Sequence, residues 1–371
     1  MKVEEHGKRA VLLLADGTQL EGWSFGAQTD GVGEAVFTTD MVGYVETLTD
    51  PGYYGQIIVQ TFPSLGNYGV MMEDFESSRI WARGYVVREW CDEPSNFRCE
   101  KTLDQLLKEQ GIPGIYGVDT RHLTKLLRKG GTLRGIITTR TAPEEREALL
   151  RQLSQPEAED PVAAVTAREI AEYPCGVAGG HKVALLDLGA RRSTVKALQA
   201  FGCDVTVYPA GTDPQILLGS HPDGIFLSEG PGDPAGNPGL VDHVRTLAAS
   251  GLPLLAVDLG HQLLALAHGA KTEKLPHGHR GGQPVKDLAL GRTIPTHQNH
   301  GYVVLGESLP EGVAQVSHRN INDGSCEGIR YRDIPALSVQ FLPDGEDNQV
   351  GTGYIYKEFT AMMDGRANIC R

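Results

Sequence analysis

The chain has 371 residues, 40% hydrophobic and 22% charged, with a formal net charge of −13 at pH 7; this is the composition of a soluble globular protein long enough for two domains with full cores. The acidic balance argues against a nucleic-acid backbone as partner. No run of about 18 apolar residues is present to cross a membrane, and the opening Met1-Lys2-Val3-Glu4-Glu5-His6 lacks the apolar centre of a signal peptide, so a cytoplasmic location is expected. Cys91, Cys99, Cys175, Cys203, Cys326 and Cys370 contain no Cys-x-x-Cys pair, which points to neither a zinc site nor a disulfide framework. Burial is the expected role of most of them.

Val11 to Leu14, Asp16-Gly17-Thr18 and Gln19 to Trp23 read as a hairpin turning at Asp-Gly. Glu34 to Thr39 and Gln56 to Thr61 are further strands, separated by the turn-rich Thr49-Asp50-Pro51-Gly52. Leu103 to Glu109 and Thr120 to Arg128 carry apolar residues at helical spacing, stopped by Gly111 and by Gly130-Gly131. Strands and helices without strict alternation predict an α+β domain over residues 1–150. Residues 151–180, rich in Pro, Ala, Glu and Gly, read as a linker.

The remainder, 181–371, alternates. Strands are expected at Lys182 to Leu188, Asp204 to Tyr208, Gly224 to Leu227 and Leu254 to Val257, with helices at Ser193 to Ala200, Leu240 to Ala249 and Gly260 to Ala267. This is the pattern of βαβ units and a mainly parallel sheet, whose ligand crevice lies at the C-terminal strand ends. Two features fall there: the loop Ser228-Glu229-Gly230-Pro231-Gly232-Asp233-Pro234, and Asp258 between the strand Leu254 to Val257 and its helix. Asp258 therefore sits where a sharp strand-to-helix turn exposes a nucleophile, and the small Ala256 and Gly260 suit such an elbow. The competing assignment is an aspartate that only caps the helix. His277 and His279 lie among Gly and Lys and read as loop.

These residues resemble the small, glutamine-hydrolysing subunit of carbamoyl phosphate synthetase, a class I triad amidotransferase family, from about Ala10 to about Phe359. In the first domain the resemblance rests on Leu48-Thr49-Asp50-Pro51, Gly66-Asn67-Tyr68-Gly69, Pro94-Ser95-Asn96-Phe97 and Asp119-Thr120-Arg121-His122-Leu123-Thr124. In the second it rests on Gly230 to Pro234, Leu259 to Ala267, Pro284 to Leu288 and Gln298-Asn299-His300-Gly301-Tyr302. It implies the small-subunit N-terminal domain followed by a class I amidotransferase-like domain.

The family uses a Cys nucleophile, a His base and a Glu that orients the His. Here Asp258 occupies the Cys position, and the family's His-Pro-Glu falls on Leu342-Pro343-Asp344. Glu229 replaces a loop asparagine, and Asp40, in Thr39-Asp40-Met41-Val42-Gly43-Tyr44, replaces a serine that holds the glutamine α-carboxylate. Gly230, Gly232, Leu259, Gln262, Asn299, Gly301 and Tyr302 match the remaining glutamine-site and oxyanion-hole positions, and His297 stands where the family has Ser or Thr.

No thioester forms on Asp258 and Leu342 moves no proton, so glutaminase activity by the family mechanism is not expected. Four carboxylates at one cleft predict an acidic site instead, with Asp258, Glu229 and Asp344 catalytic and Asp40 and His297 on the ligand. Two carboxylates about 5 Å apart repel by roughly 3 kcal/mol at an effective dielectric near 20, so such a cluster shares a proton or holds a cation. A divalent metal ion is one candidate cation, and no other cofactor is implied. Asp258 is open to three roles: nucleophile, general acid or base, and metal ligand. The expected ligand is a cationic or hydroxyl-rich small molecule, glutamine- or glutamate-derived, undergoing hydrolysis, cyclisation or elimination. The alternatives are an inactive small subunit docked on a synthetase large chain, and a working glutaminase. A second copy of the chain is the other candidate partner.

Overall fold

A computed structural model describes residues 7–155, 160–344 and 351–365. Cys370 and part of the presumed linker, 156–159, lie outside them. Two compact units span residues 1–159 and 160–371.

The first unit contains β1 (Arg9–Leu14), β2 (Gln19–Gly26), β3 (Gly31–Thr38), β4 (Gln56–Gln60), β5 (Ser64–Leu65), β6 (Gly84–Val86), β7 (Glu89–Trp90), β8 (Pro113–Tyr116) and β9 (Leu133–Thr138). Its helices are α1 (Tyr44–Thr49), α2 (Leu103–Glu109), α3 (Thr120–Gly130) and α4 (Arg146–Leu153). The expected hairpin forms, with Leu13 opposite Gln19 and Gly17 at φ 88°. The strands of this α+β unit close into a barrel in the order β1-β2-β8-β6-β4-β3-β9, a closure that the sequence did not indicate. Closure explains why β1 is apolar at nearly every position. Leu12 and Leu14 pack with Leu123 and Leu127 of α3, while Leu13 between them packs with Leu149 and Leu153 of α4, so both faces are covered.

The second unit contains β10 (Ala171–Tyr173), β11 (His181–Asp187), β12 (Cys203–Pro209), β13 (Gly224–Leu227), β14 (Leu254–Val257), β15 (Thr272–Asp287), β16 (Thr293–Val304), β17 (Ala314–Asn320), β18 (Cys326–Tyr331) and β19 (Ala336–Val339). Its helices are α5 (Pro161–Val165), α6 (Arg192–Ala200), α7 (Pro214–Gly219), α8 (Pro238–Ala248), α9 (Leu259–Ala267) and α10 (Tyr354–Met363). One ten-stranded sheet runs β10-β12-β11-β13-β14-β19-β18-β16-β15-β17. It is mixed rather than mainly parallel: β12, β11, β13, β14 and β19 pair in parallel, and the strands beyond them pair antiparallel. The stretch read as a linker contributes α5 and β10, and β10 extends the sheet along β12.

Alternate residues of the parallel strands face opposite helical layers. Ala184, Leu186, Ile225 and Leu254 pack with Val244 of α8 and Leu263 of α9. Val183, Leu185, Phe226 and Leu255 pack with Leu198 of α6 and Phe359 of α10. This two-sided burial is what makes each central strand an unbroken apolar run, and it leaves the C-terminal strand ends to carry the polar side chains.

Candidate functional site

Between β14 and α9, Asp258 adopts φ 50° and ψ −109°. A non-glycine residue held in so sparsely populated a region costs of order 1–3 kcal/mol. The surroundings enforce it: the Asp258 N–H donates to the Val339 carbonyl at 2.9 Å, and its own carbonyl accepts from the Gln262 N–H at 3.1 Å. Gly260 is required two residues further on, because a Cβ there would lie 2.5 Å from the Leu227 carbonyl oxygen. The elbow expected from sequence is therefore present.

Its tip, however, is tied inward. Asp258 is 4% exposed. Its Oδ1 accepts from Gln340 Nε2 at 2.8 Å, and its Oδ2 accepts from the Gly230 N–H at 3.4 Å. Gln340 Oε1 in turn accepts from Gln262 Nε2 at 3.0 Å, which also donates to the Tyr302 carbonyl at 2.8 Å. Neutral amides thus solvate a buried carboxylate in place of water. Gly230, an oxyanion-hole position by resemblance, directs its N–H at the protein's own carboxylate.

The other acidic residues have separate partners. Glu229 is buried and its Oε1 accepts from the Arg191 N–H at 2.9 Å, from Arg191 Nε at 3.4 Å and from the Thr194 hydroxyl. It closes the N-terminus of α6, where a carboxylate meets unpaired N–H groups and the positive helix end. Asp344 is exposed and accepts from the Thr352 hydroxyl at 3.0 Å and the Thr352 N–H at 3.3 Å. Asp40 lies in the first unit, after β3, where the Thr38 hydroxyl donates to its Oδ2 at 3.0 Å. Among the described residues, none of these carboxylates belongs to a group of three metal-ligating atoms. Local donors hold two of them: Arg191 and Thr194 on Glu229, and Thr352 on Asp344.

Leu342, at the family's base position, is buried and forms an isolated antiparallel bridge with His297. Directly opposed residues project to the same face, so the half-buried His297 imidazole leaves the sheet beside Leu342. Asn299, Gly301 and Tyr302 lie on β16, and Leu259 is buried in the core under the elbow. Gly230 and Gly232 shape the opposite rim: a Cβ on Gly230 would lie 2.2 Å from the Leu188 carbonyl oxygen, and Gly232 has φ 102°.

Sequence reasoning missed Gln340, a hydrogen-bond partner of Asp258. Its only trace was the position two residues before Leu342, since an amide inside an apolar strand declares no partner. It also read His277 and His279 as loop, whereas both lie on β15.

Comparison with known proteins gives a consistent result over both units. The family described as carbamoyl-phosphate synthase small chain, CPSase domain, matches residues 12–137, and glutamine amidotransferase class-I matches residues 184–362. The carbamoyl phosphate synthase small chain of Listeria monocytogenes serotype 4b is 45% identical over 359 residues, covering 96% of this chain and 98% of that one. Those of Bacillus caldolyticus and Fusobacterium nucleatum are 43% identical over 354 residues and 42% over 355, each covering 95% of this chain and, respectively, 96% and 98% of theirs.

Proposed function

We propose that this chain, which belongs to the carbamoyl phosphate synthase small-chain family, pairs with a synthetase large chain and does not release ammonia from glutamine through an enzyme-bound acyl intermediate. Near-complete coverage of small-chain relatives supports the pairing. The loss of hydrolysis rests on one observation: the elbow presents a buried aspartate whose carboxylate is held by Gln340 and Gly230. A thiolate attacking a carboxamide gives a thioester, which water then opens. A carboxylate attacking the same carbon gives a mixed anhydride, an acyl species far less stable than the amide it replaces. Expulsion of ammonia also needs a proton donor, and Leu342 has none to give.

A reaction rebuilt around Asp258, Glu229 and Asp344 is less well supported, because Glu229 serves α6 and Asp344 serves Thr352. Co-expression with a large chain tests the proposal. The two chains should co-purify, and carbamoyl phosphate should form with ammonium and not with glutamine. Glutamine-dependent turnover abolished by Asp258→Asn would overturn it.

A further inference from the structure

We propose that His279, Gln298, His300 and Glu327 form a binding site for a divalent transition-metal ion of the zinc type, in the antiparallel part of the second unit. The proposal is independent of the fate of Asp258. The four residues come from three strands: His279 from β15, Gln298 and His300 from β16, and Glu327 from β18. His279 lies directly opposite His300 in the β15–β16 register. All four are buried, and the two imidazoles with Glu327 are the one group of three ligating side chains that converge among the described residues.

The outward nitrogens decide the protonation. His279 Nε2 lies 2.9 Å from Asp323 Oδ2, and His300 Nδ1 lies 2.8 Å from the Tyr302 carbonyl oxygen. Both partners only accept, so both outward nitrogens carry hydrogen. In a neutral ring the inward nitrogen, Nδ1 of His279 and Nε2 of His300, then presents a lone pair. Carboxylate and carbonyl acceptors behind the imidazoles are the outer-shell arrangement that orients histidine on a metal.

The inward atoms meet further lone pairs. His279 Nδ1 is 3.1 Å from Gln298 Oε1 and 3.3 Å from Glu327 Oε1, and His300 Nε2 is 2.9 Å from Gln298 Oε1. The Gln298 amide cannot reverse cheaply, because its Nε2 donates to Glu327 Oε2 at 2.8 Å and to Thr296 Oγ1 at 3.1 Å. Ser325 Oγ holds Glu327 Oε1 at 3.0 Å. Ligands about 2.0–2.1 Å from a tetrahedral zinc lie about 3.4 Å from one another, close to these separations.

With its Nδ1 hydrogen on the Tyr302 carbonyl, neutral His300 turns its Nε2 lone pair toward Gln298 Oε1 at 2.9 Å, a contact that a cation resolves. Two imidazoles, a carboxylate and an amide oxygen are a donor set suited to zinc and its neighbours.

Because the site is buried, the metal is taken up as the chain folds. The full chain should be produced without an affinity tag in medium supplemented with Zn²⁺ or Co²⁺, and its metal measured by elemental analysis. The expected result is stoichiometric metal and, with Co²⁺, the intense visible absorption of a tetrahedral site. Both should be lost in Glu327→Gln and His279→Gln, whose circular dichroism shows whether they fold. If either variant does not fold, unfolding the unaltered chain in chelator and refolding it with and without Zn²⁺ gives the second measurement. A lower melting temperature without metal is expected. Metal-free folded protein whose melting temperature ignores added Zn²⁺, or metal retained by both folded variants, would overturn the site.

Discussion

The Leu342 N–H donates to the His297 carbonyl at 2.9 Å across an isolated antiparallel bridge, placing an aliphatic and an imidazole side chain on the same face of the sheet. Position 342, where the family resemblance puts the base, holds no titratable group. Asp258→Cys alone should yield at most trace glutamine hydrolysis, because nothing at 342 deprotonates the thiol or protonates ammonia. Leu342→His alone should yield none, because the carboxylate remains. Together the two substitutions should exceed Asp258→Cys by about 10²–10⁴-fold, the usual worth of a positioned acid–base group. Ammonia release measured on the three variants checks this. Equal rates in the single Asp258→Cys variant and the double variant would show that position 342 does not supply the proton carrier.

Gln340 links the Asp258 carboxyl to Gln262. Gln340→Leu removes the 2.8 Å donor to Asp258 and the 3.0 Å acceptor for Gln262 together. Stranding buried polar groups costs about 1–3 kcal/mol each, more when one is charged. A loss of roughly 3 kcal/mol is expected by chemical denaturation, and Asp258→Asn in the Gln340→Leu background should recover part of it by removing the charge. No recovery would mean that the carboxylate is solvated by other groups.

What the sequence made legible was local. Leu254 to Val257 and Gly224 to Leu227 are strands over those same residues, and the Asp258 elbow forms, because apolar runs, turn residues and helix starts act within a few positions of one another. Barrel closure was not legible, since the pairing of β1 with β9 spans more than a hundred residues and leaves no periodic mark. β15 was lost for a related reason: its His, Gly and Pro content argues for loop, and only its partners β16 and β17 hold it as a strand. The acidic residues show the limit for sites. Their identities were read correctly, but Glu229 is claimed by Arg191 and Thr194, some 35 residues earlier, and Asp344 by Thr352.

The Glu229–Arg191 contact gives Glu229 a partner at the start of α6. Both side chains are largely buried in this pair, so Glu229→Ala removes the counter-charge of Arg191 and the acceptor for its N–H and for Thr194. Breaking a buried pair by deleting one partner costs about 3–5 kcal/mol. Glu229→Gln keeps the acceptor oxygen and should cost clearly less. Denaturant midpoints for the two variants check the order. If Ala is tolerated as well as Gln, the N-terminus of α6 does not depend on this side chain.

His261 is one of the groups that shape the expected response to acid. The ring is fully buried, with Nδ1 2.7 Å from Ser338 Oγ and Nε2 without a hydrogen-bond partner among the described residues. Burial, and then the nearby His318, lower its pKa from 6.5 to about 3. Above pH 6.5 the ring is neutral whether folded or unfolded, and it contributes nothing to the pH dependence. Below that value the unfolded chain binds a proton that the folded chain refuses until about pH 3, so stability falls by up to roughly 1.4 kcal/mol per pH unit across this window. Asp287 acts lower. Although burial opposes it, His318 and the Leu290 N–H hold its carboxyl below the usual range, so its contribution is present above about pH 4 and is lost beneath it. Urea midpoints at pH 7.5, 6.0 and 5.0 should therefore decline. His261→Asn, which keeps a short polar contact to Ser338 but does not titrate, should flatten the decline between pH 6 and 5. An unchanged slope in that variant would assign the acid sensitivity to another group.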